Sequence, residues 1–175
     1  MNYAEWEERV PSVIRGDSLW TVEAYRLSLF LADISWKDAK KLSSDNCTRS
    51  LADQLYRSVC SISANIEEGY SKLSPKDRAR FYEYALGSAR ESRGWYYKSR
   101  HLLGEPVSTH RMEMATQVIR LLIKMVPDQR GYKIKEEQSE YLTNNFIEQE
   151  VPFDFTAHDS LVTPITIHGS IVTDS

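Results

Sequence analysis

Cysteine is nearly missing from this chain, and a long apolar run is missing altogether. The 175 residues hold two cysteines, Cys47 and Cys60. Two thiols make neither a disulfide framework nor the paired Cys-x-x-Cys sets of a zinc site. They stand 13 positions apart in what reads as one helix, too far to pair there. Reduced thiols, and with them a cytoplasmic location, are the expectation. No stretch approaches the roughly 20 apolar residues that cross a bilayer, so no membrane partner is expected. The start, MNYAEWEERV, is acidic and lacks the basic and apolar sections of a signal peptide.

Several kinds of chemistry are absent as well. The seven glycines never cluster into a phosphate-cradling loop, and there is no Gly-x-Ser-x-Gly elbow. No glutamate has a histidine three residues later, which a di-iron helix bundle needs. The histidines are scattered: His101 and His110 flank a turn, and His158 and His168 lie near the C-terminus. Structural or solvent roles are expected for them, and neither a metal nor another cofactor is called for. Glu67 and Glu68 are adjacent and would point in different directions on a helix. They make a poor catalytic pair, and Glu68 is expected to bond a neighbouring backbone group or cation. With no nucleophile, base and electrophile together, the chain reads as a non-enzyme.

What is present is helical. Apolar residues make up 41%, enough for one core in a domain of this size. Residues 1–16 form an N-terminal arm with Pro11, Gly16 and a short helical turn around Trp6. A first long helix is expected after Asp17 or Ser18, both good N-caps, with a stripe of Trp20, Leu27, Phe30, Leu31 and Ile34. It runs to about Leu42, where Ser43, Ser44, Asp45 and Asn46 break the pattern. The second runs from about Cys47 to Tyr70. In it Leu51, Leu55, Val59, Ile62 and Ile66 recur at helical spacing beside Ser58, Ser61, Ser63 and Asn65. The third has the clearest start: Ser74 as cap, Pro75 at the first position, and Asp77 completing a capping box. It ends at Gly104. The fourth, opened by Pro106, spans about Val107 to Val126, carries Met114, Val118, Leu121, Leu122 and Met125, and is closed by Pro127. Short connections between amphipathic helices predict an all-α, antiparallel up-down four-helix bundle over residues 17–130.

Charge separates the last part of the chain from the rest. Residues 1–130 carry 20 Lys/Arg against 17 Asp/Glu, and residues 131–175 carry 2 against 8. The latter read as a mobile, largely irregular tail, or as a peptide that orders on a partner. Val162, Thr163, Ile165, Ile167, Ile171 and Val172 alternate like a strand, but Pro152, Pro164 and Gly169 interrupt.

The third helix holds three populations. Ala85, Ser88, Ala89 and Ser92 form a small-residue row, with Gly87 beside it, that permits close helix approach. Phe81, Tyr82, Tyr84, Trp95, Tyr96 and Tyr97 fan over more than one face, so some are expected at a subunit interface rather than in a core. Lys76, Arg78, Arg80, Arg90, Arg93, Lys98 and Arg100, with Lys72 just upstream, are candidates to bind RNA or DNA phosphates, with aromatics to stack on bases. The alternative is an ordinary solvated face with local ion pairs such as Asp77–Arg80, or Glu83 with Arg80 and Arg90.

Taken together, Gln54-Leu55-Tyr56-Arg57, the run Ser61-Ile62-Ser63-Ala64-Asn65-Ile66-Glu67-Glu68-Gly69-Tyr70, and Arg80 through Glu91 (RFYEYALGSARE) resemble a known family. Leu19-Trp20 and Ala24-Tyr25 fit it as well. The family is that of the small bacterial four-helix bundle proteins encoded in intervening sequences of 23S ribosomal RNA genes. The resemblance covers about residues 17–126 and makes Asn65, Glu68, Gly69, Gly87 and Ser88 structural motif positions. It implies a ring-like homopentamer. The family is related to accessory variability determinant proteins of diversity-generating retroelements, so the resemblance also implies a basic surface for nucleic acid and a reverse transcriptase as partner. The acidic tail lies outside the family's pattern. The leading expectation is a non-enzymatic oligomer that binds RNA or DNA; the rival is a protein-interaction scaffold without a nucleic-acid role.

Overall fold

The computed structural model describes residues 2–130, and every regular element among them is helical. The elements are α1 (Tyr3–Arg9), α2 (Ser12–Arg15), a 3-10 turn (Ser18–Thr21), α3 (Glu23–Ser43), α4 (Arg49–Tyr70), α5 (Pro75–Leu103) and α6 (Glu105–Arg130). The expectations for the C-terminal tail, with its strand-like alternation, lie outside the described residues.

The apolar stripes are why these segments pack as they do. Leu55, Val59, Ile62 and Ile66 of α4 are fully buried, and so are Leu31 of α3 and Val118 and Leu122 of α6. Leu51, Trp20, Leu121 and Met125 lie at the margins, half-buried against the same core. The long helices touch in sequence order, α3 on α4, α4 on α5, α5 on α6, and α6 returns to α3. Cross-links show that α5 and α6 run in opposite directions. Arg78 near the start of α5 bonds Gln129 near the end of α6, Arg93 bonds Thr116, and Arg100 pairs with Glu105.

The N-terminal arm is more than a lead-in. Asn2 and Glu5 form a reciprocal capping box that starts α1. Its Trp6 is buried against Phe30 and Trp20 and donates its indole N–H to Asp33 at 2.9 Å. The indole thus brings both a large apolar face and a satisfied donor to α3.

Helix boundaries differ from expectation in three places. Asp17 does act as a cap, but of the 3-10 turn, accepting from the Leu19 N–H; the long helix begins only at Glu23. Cys47 precedes α4 instead of lying in it, its N–H held by the Asp45 carboxylate in the connecting turn. Pro127 does not close α6, which continues to Arg130. Pro127 has no N–H to give the Ile123 carbonyl, so α6 runs on for its last turn with that one hydrogen bond missing.

Two other signals act as expected. Ser74 Oγ accepts from the Asp77 N–H with Pro75 in the first turn, although the Asp77 carboxylate makes no return bond to complete a capping box. Gly104 ends α5 at φ 88°, a conformation that favours glycine.

Candidate nucleic-acid interface

Helical geometry sorts the seven candidate cations of α5 into two groups, and Lys72 lies before the helix. On α5, Lys76, Arg80, Arg90 and Lys98 fall within about 80° of one another, and all four are exposed. Arg78, Arg93 and Arg100 fall on a different side, within about 60°, where they are half-buried and tied to neighbours. Arg78 donates to the Lys72 carbonyl at 2.8 Å as well as to Gln129. Arg93 reaches Thr116, and Arg100 donates to the Tyr97 carbonyl. Lys72 pairs with Glu68 at 3.0 Å and lies over the Phe81 ring, so Glu68 does bond a neighbouring cation. Three of the predicted binding residues therefore act between helices, Lys72 is partly engaged, and four form an outward ridge.

The six aromatics of α5 divide in the same way. Tyr82 and Tyr96 are buried, Phe81 and Trp95 half-buried, and Tyr84 and Tyr97 are 52% and 55% exposed. The exposed pair flanks the four cations, one tyrosine on either side of the ridge and about 140° apart around the axis. Lys98 sits 4.0 Å above the Trp95 ring, and Arg100 sits 4.1 Å above Tyr97. Gly87 and Gly94 lie on the same side, and a Cβ built on either would meet nothing within 4 Å. Lys76 and Lys98 are about 33 Å apart along the axis and the two tyrosines about 20 Å. Glu83 and Glu91 also lie on this side, so the ridge is cationic without being purely so.

The motif positions have separate roles. Gly69 is buried, and a Cβ there would come within 2.8 Å of the Tyr82 ring and 3.0 Å of Phe81 Cβ. Only glycine lets α4 and α5 approach so closely. Ala85, Ala89 and Ser92 are fully buried, and Ser92 Oγ lies 3.0 Å from Ser58 Oγ of α4. Asn65 donates to the Ser61 carbonyl and hydroxyl one turn back. Ser88 donates to the Tyr84 carbonyl and accepts from Ser92 through its own. Gly87, by contrast, has no such packing partner.

A buried polar cluster was missed at the sequence level. Arg111 of α6 is fully buried and grips Asp38 of α3 with Nε at 2.8 Å and Nη2 at 3.4 Å. Tyr96 of α5 donates its hydroxyl to the same carboxylate at 3.1 Å and lies 2.7 Å from Ser35 Oγ. Burial, with the nearby Asp38 charge, pushes the Tyr96 phenol well above its usual range, so it remains a donor. Arg111 Nη1 meets His110 Nδ1 at 2.9 Å. A guanidinium only donates, so this nitrogen accepts and the ring is neutral. Burial and then the Arg111 charge lower the His110 pKa to about 4. The signal was in the stripes: Asp38 continues Leu27, Leu31 and Ile34, and Arg111 sits between Val107 and Met114, all at helical spacing.

Among the described residues, no group of three or more His, Cys, Asp or Glu is placed to hold a metal, and no helix is long and apolar enough to cross a membrane. Both cysteines are free thiols, and burial pushes the Cys60 thiol up, away from a reactive thiolate.

Among the described residues, these features define an all-helical fold with an ion pair in its core and a cationic, aromatic ridge on its longest helix. The model of the 23S rRNA-intervening sequence protein family matches residues 21–124, and the chain belongs to that family. A solved structure from Bacteroides thetaiotaomicron VPI-5482, a protein of unknown function from the S23 ribosomal protein family, is similar in fold. It is 24% identical, with a TM-score of 0.56 over 59% of this chain and 97% of that chain. No curated protein matches the chain.

Proposed function

We propose that the chain is a non-enzymatic, cytoplasmic, antiparallel up-down four-helix bundle that assembles as a homopentamer and binds RNA or DNA along the outer ridge of α5. The observation that carries this reading is the sharing of one exposed face by Lys76, Arg80, Arg90, Lys98, Tyr84 and Tyr97. Cations neutralise phosphates and tyrosine rings stack on bases, so the interleaving suits a single strand. Gly87 and Gly94 let a backbone approach the helix closely. An accessory role beside a reverse transcriptase, or another nucleic-acid-processing protein, is what the resemblance to retroelement accessory proteins implies.

A cyclic pentamer joins unlike patches head to tail. Trp36 of α3, 59% exposed and edge-on to Tyr56 of α4 at 5.6 Å, supplies a patch unlike the α5 ridge. The same glycines favour a second reading, a scaffold on which another helix docks, because helix backbones approach closely where side chains are absent.

Titration of a fluorescent single-stranded RNA across salt concentrations separates the two. With four phosphates neutralised, log K is expected to fall with log salt at a slope of about −3. Changing Lys76, Arg80, Arg90 and Lys98 together to Gln is expected to abolish binding while light scattering still reports the pentamer. Assembly without RNA or DNA binding at low salt would leave the scaffold; a monomer would remove the assembly.

A further inference from the structure

We propose that residues 146–155 of the chain's own acidic C-terminal segment dock on the α4–α5 end of the molecule and there compete with nucleic acid for the ridge. The competition rests on the nucleic-acid reading above; the docking does not.

The surface at that end mixes exposed apolar groups with cations. Leu73, in the turn between α4 and α5, is 97% exposed, and Tyr70 just before it is 37% exposed. Phe81 lies beside them on α5, half-buried, with Lys72 Nζ 4.7 Å and the Arg80 guanidinium 5.5 Å from its ring centre. Lys76 is exposed one turn before Arg80. Glu68 partly neutralises Lys72, which leaves Lys76 and Arg80 as the cations most open to an incoming acid.

The chain itself carries the complementary pattern, FIEQEVPFDF, at residues 146–155. Glu148, Glu150 and Asp154 are its acids, and it contains no cation. Phe146, Ile147, Val151, Phe153 and Phe155 stand among these acids in the sequence. Opposite charge sets register, and buried aromatics supply the contact area.

Connectivity places the segment within reach. The Arg78–Gln129 hydrogen bond at 3.3 Å holds the end of α6 beside the start of α5, so the chain leaves from the edge of this surface. Residues 131–145 intervene and span at most about 50 Å, more than the roughly 44 Å length of α5. A tether of that reach gives an effective concentration approaching millimolar, so a weak contact is enough to populate the docked state.

Zero-length carbodiimide cross-linking of the full-length protein, read by peptide mass spectrometry, tests the docking without nucleic acid. Links from Lys72 or Lys76 to Glu148, Glu150 or Asp154 are expected, with a yield unchanged by tenfold dilution and lowered by salt. The Lys72–Glu68 pair is the internal control. Formation of the control link with no link to residues 146–155 would overturn the proposal. The competition is tested with Phe153→Ser plus Phe155→Ser, which leaves the charge unaltered. That variant is expected to bind single-stranded RNA at least about tenfold more tightly than the parent. Equal affinity of the two proteins would overturn the competition. Tail links in a protein that binds no RNA or DNA would keep the docking and remove the nucleic-acid reading.

Discussion

The Asp38–Arg111 pair and the α5 ridge use similar residues to opposite ends. Inside, one guanidinium and one carboxylate meet in two hydrogen bonds, with Tyr96 and His110 occupying further positions around them. Outside, Lys76, Arg80, Arg90 and Lys98 follow one another along a helix with glycine and tyrosine between them. The interior pair had to lose its water, so its worth depends on every partner being present. The ridge keeps its water and contributes little to holding the fold, so those charges are open to selection for something else. An arginine's position on the apolar stripe, more than its being an arginine, decides whether it belongs to the fold or to a partner.

The largest effect expected from breaking this contrast is at Arg111. Arg111→Met leaves the Asp38 carboxylate buried without its cation and is expected to destabilise the fold by about 3–5 kcal/mol in urea unfolding. Adding Asp38→Leu removes the stranded charge and is expected to recover most of that loss. Arg80→Met, on the ridge, is expected to move stability by no more than about 0.5 kcal/mol. Equal losses at Arg111 and Arg80 would erase the distinction between the regions.

The interior is also expected to be the pH-sensitive region. The folded state lowers the His110 pKa to about 4, below the 6.5 of the unfolded chain. The unfolded state therefore takes up the proton first. Stability from this group is complete above pH 6.5 and falls as the pH drops towards 4. The slope approaches about 1.4 kcal/mol per pH unit in that window, and the total loss is about 3 kcal/mol at most. His110→Leu is expected to flatten the pH dependence of unfolding between those limits. A variant as pH-sensitive as the parent would place the titrating group elsewhere.

How far these regions were legible in the sequence follows from the same physics. The stripes on α3, α4 and α6 were readable because burial imposes a period, and Leu55, Val59, Ile62 and Ile66 are fully buried. The start of α5 was readable because Ser74 and Pro75 act locally. The start of α3 was not, since Asp17 serves equally well as the cap of a 3-10 turn. Eight cations on and beside α5 could be named from sequence, but not which of them faced α6. Helical spacing alone sets Arg78, Arg93 and Arg100 on a different side from Arg80 and Arg90, but which side meets α6 showed only once that helix was placed. Asp38 and Arg111 carried a usable signal, a charge of each sign interrupting an apolar stripe.

Glycine gives a smaller, and in some respects sharper, version of the same comparison. At Gly69 an added Cβ would press on Tyr82 and Phe81, so Gly69→Ala is expected to destabilise the fold by about 1–3 kcal/mol as α4 is pushed off α5. At Gly87 and Gly94 an added Cβ meets nothing, and each site lies in the middle of a long helix. Alanine at either is therefore expected to stabilise the isolated chain, by about 0.8–1 kcal/mol, through lower backbone entropy in the unfolded state. A helix keeps two such glycines on its exposed face at a cost to its own stability. If a nucleic-acid strand or another helix lies along the ridge, Gly87→Ala with Gly94→Ala raises the unfolding midpoint yet weakens binding or assembly. A variant more stable and unchanged in both would mean that nothing approaches the ridge closely enough to need bare backbone there.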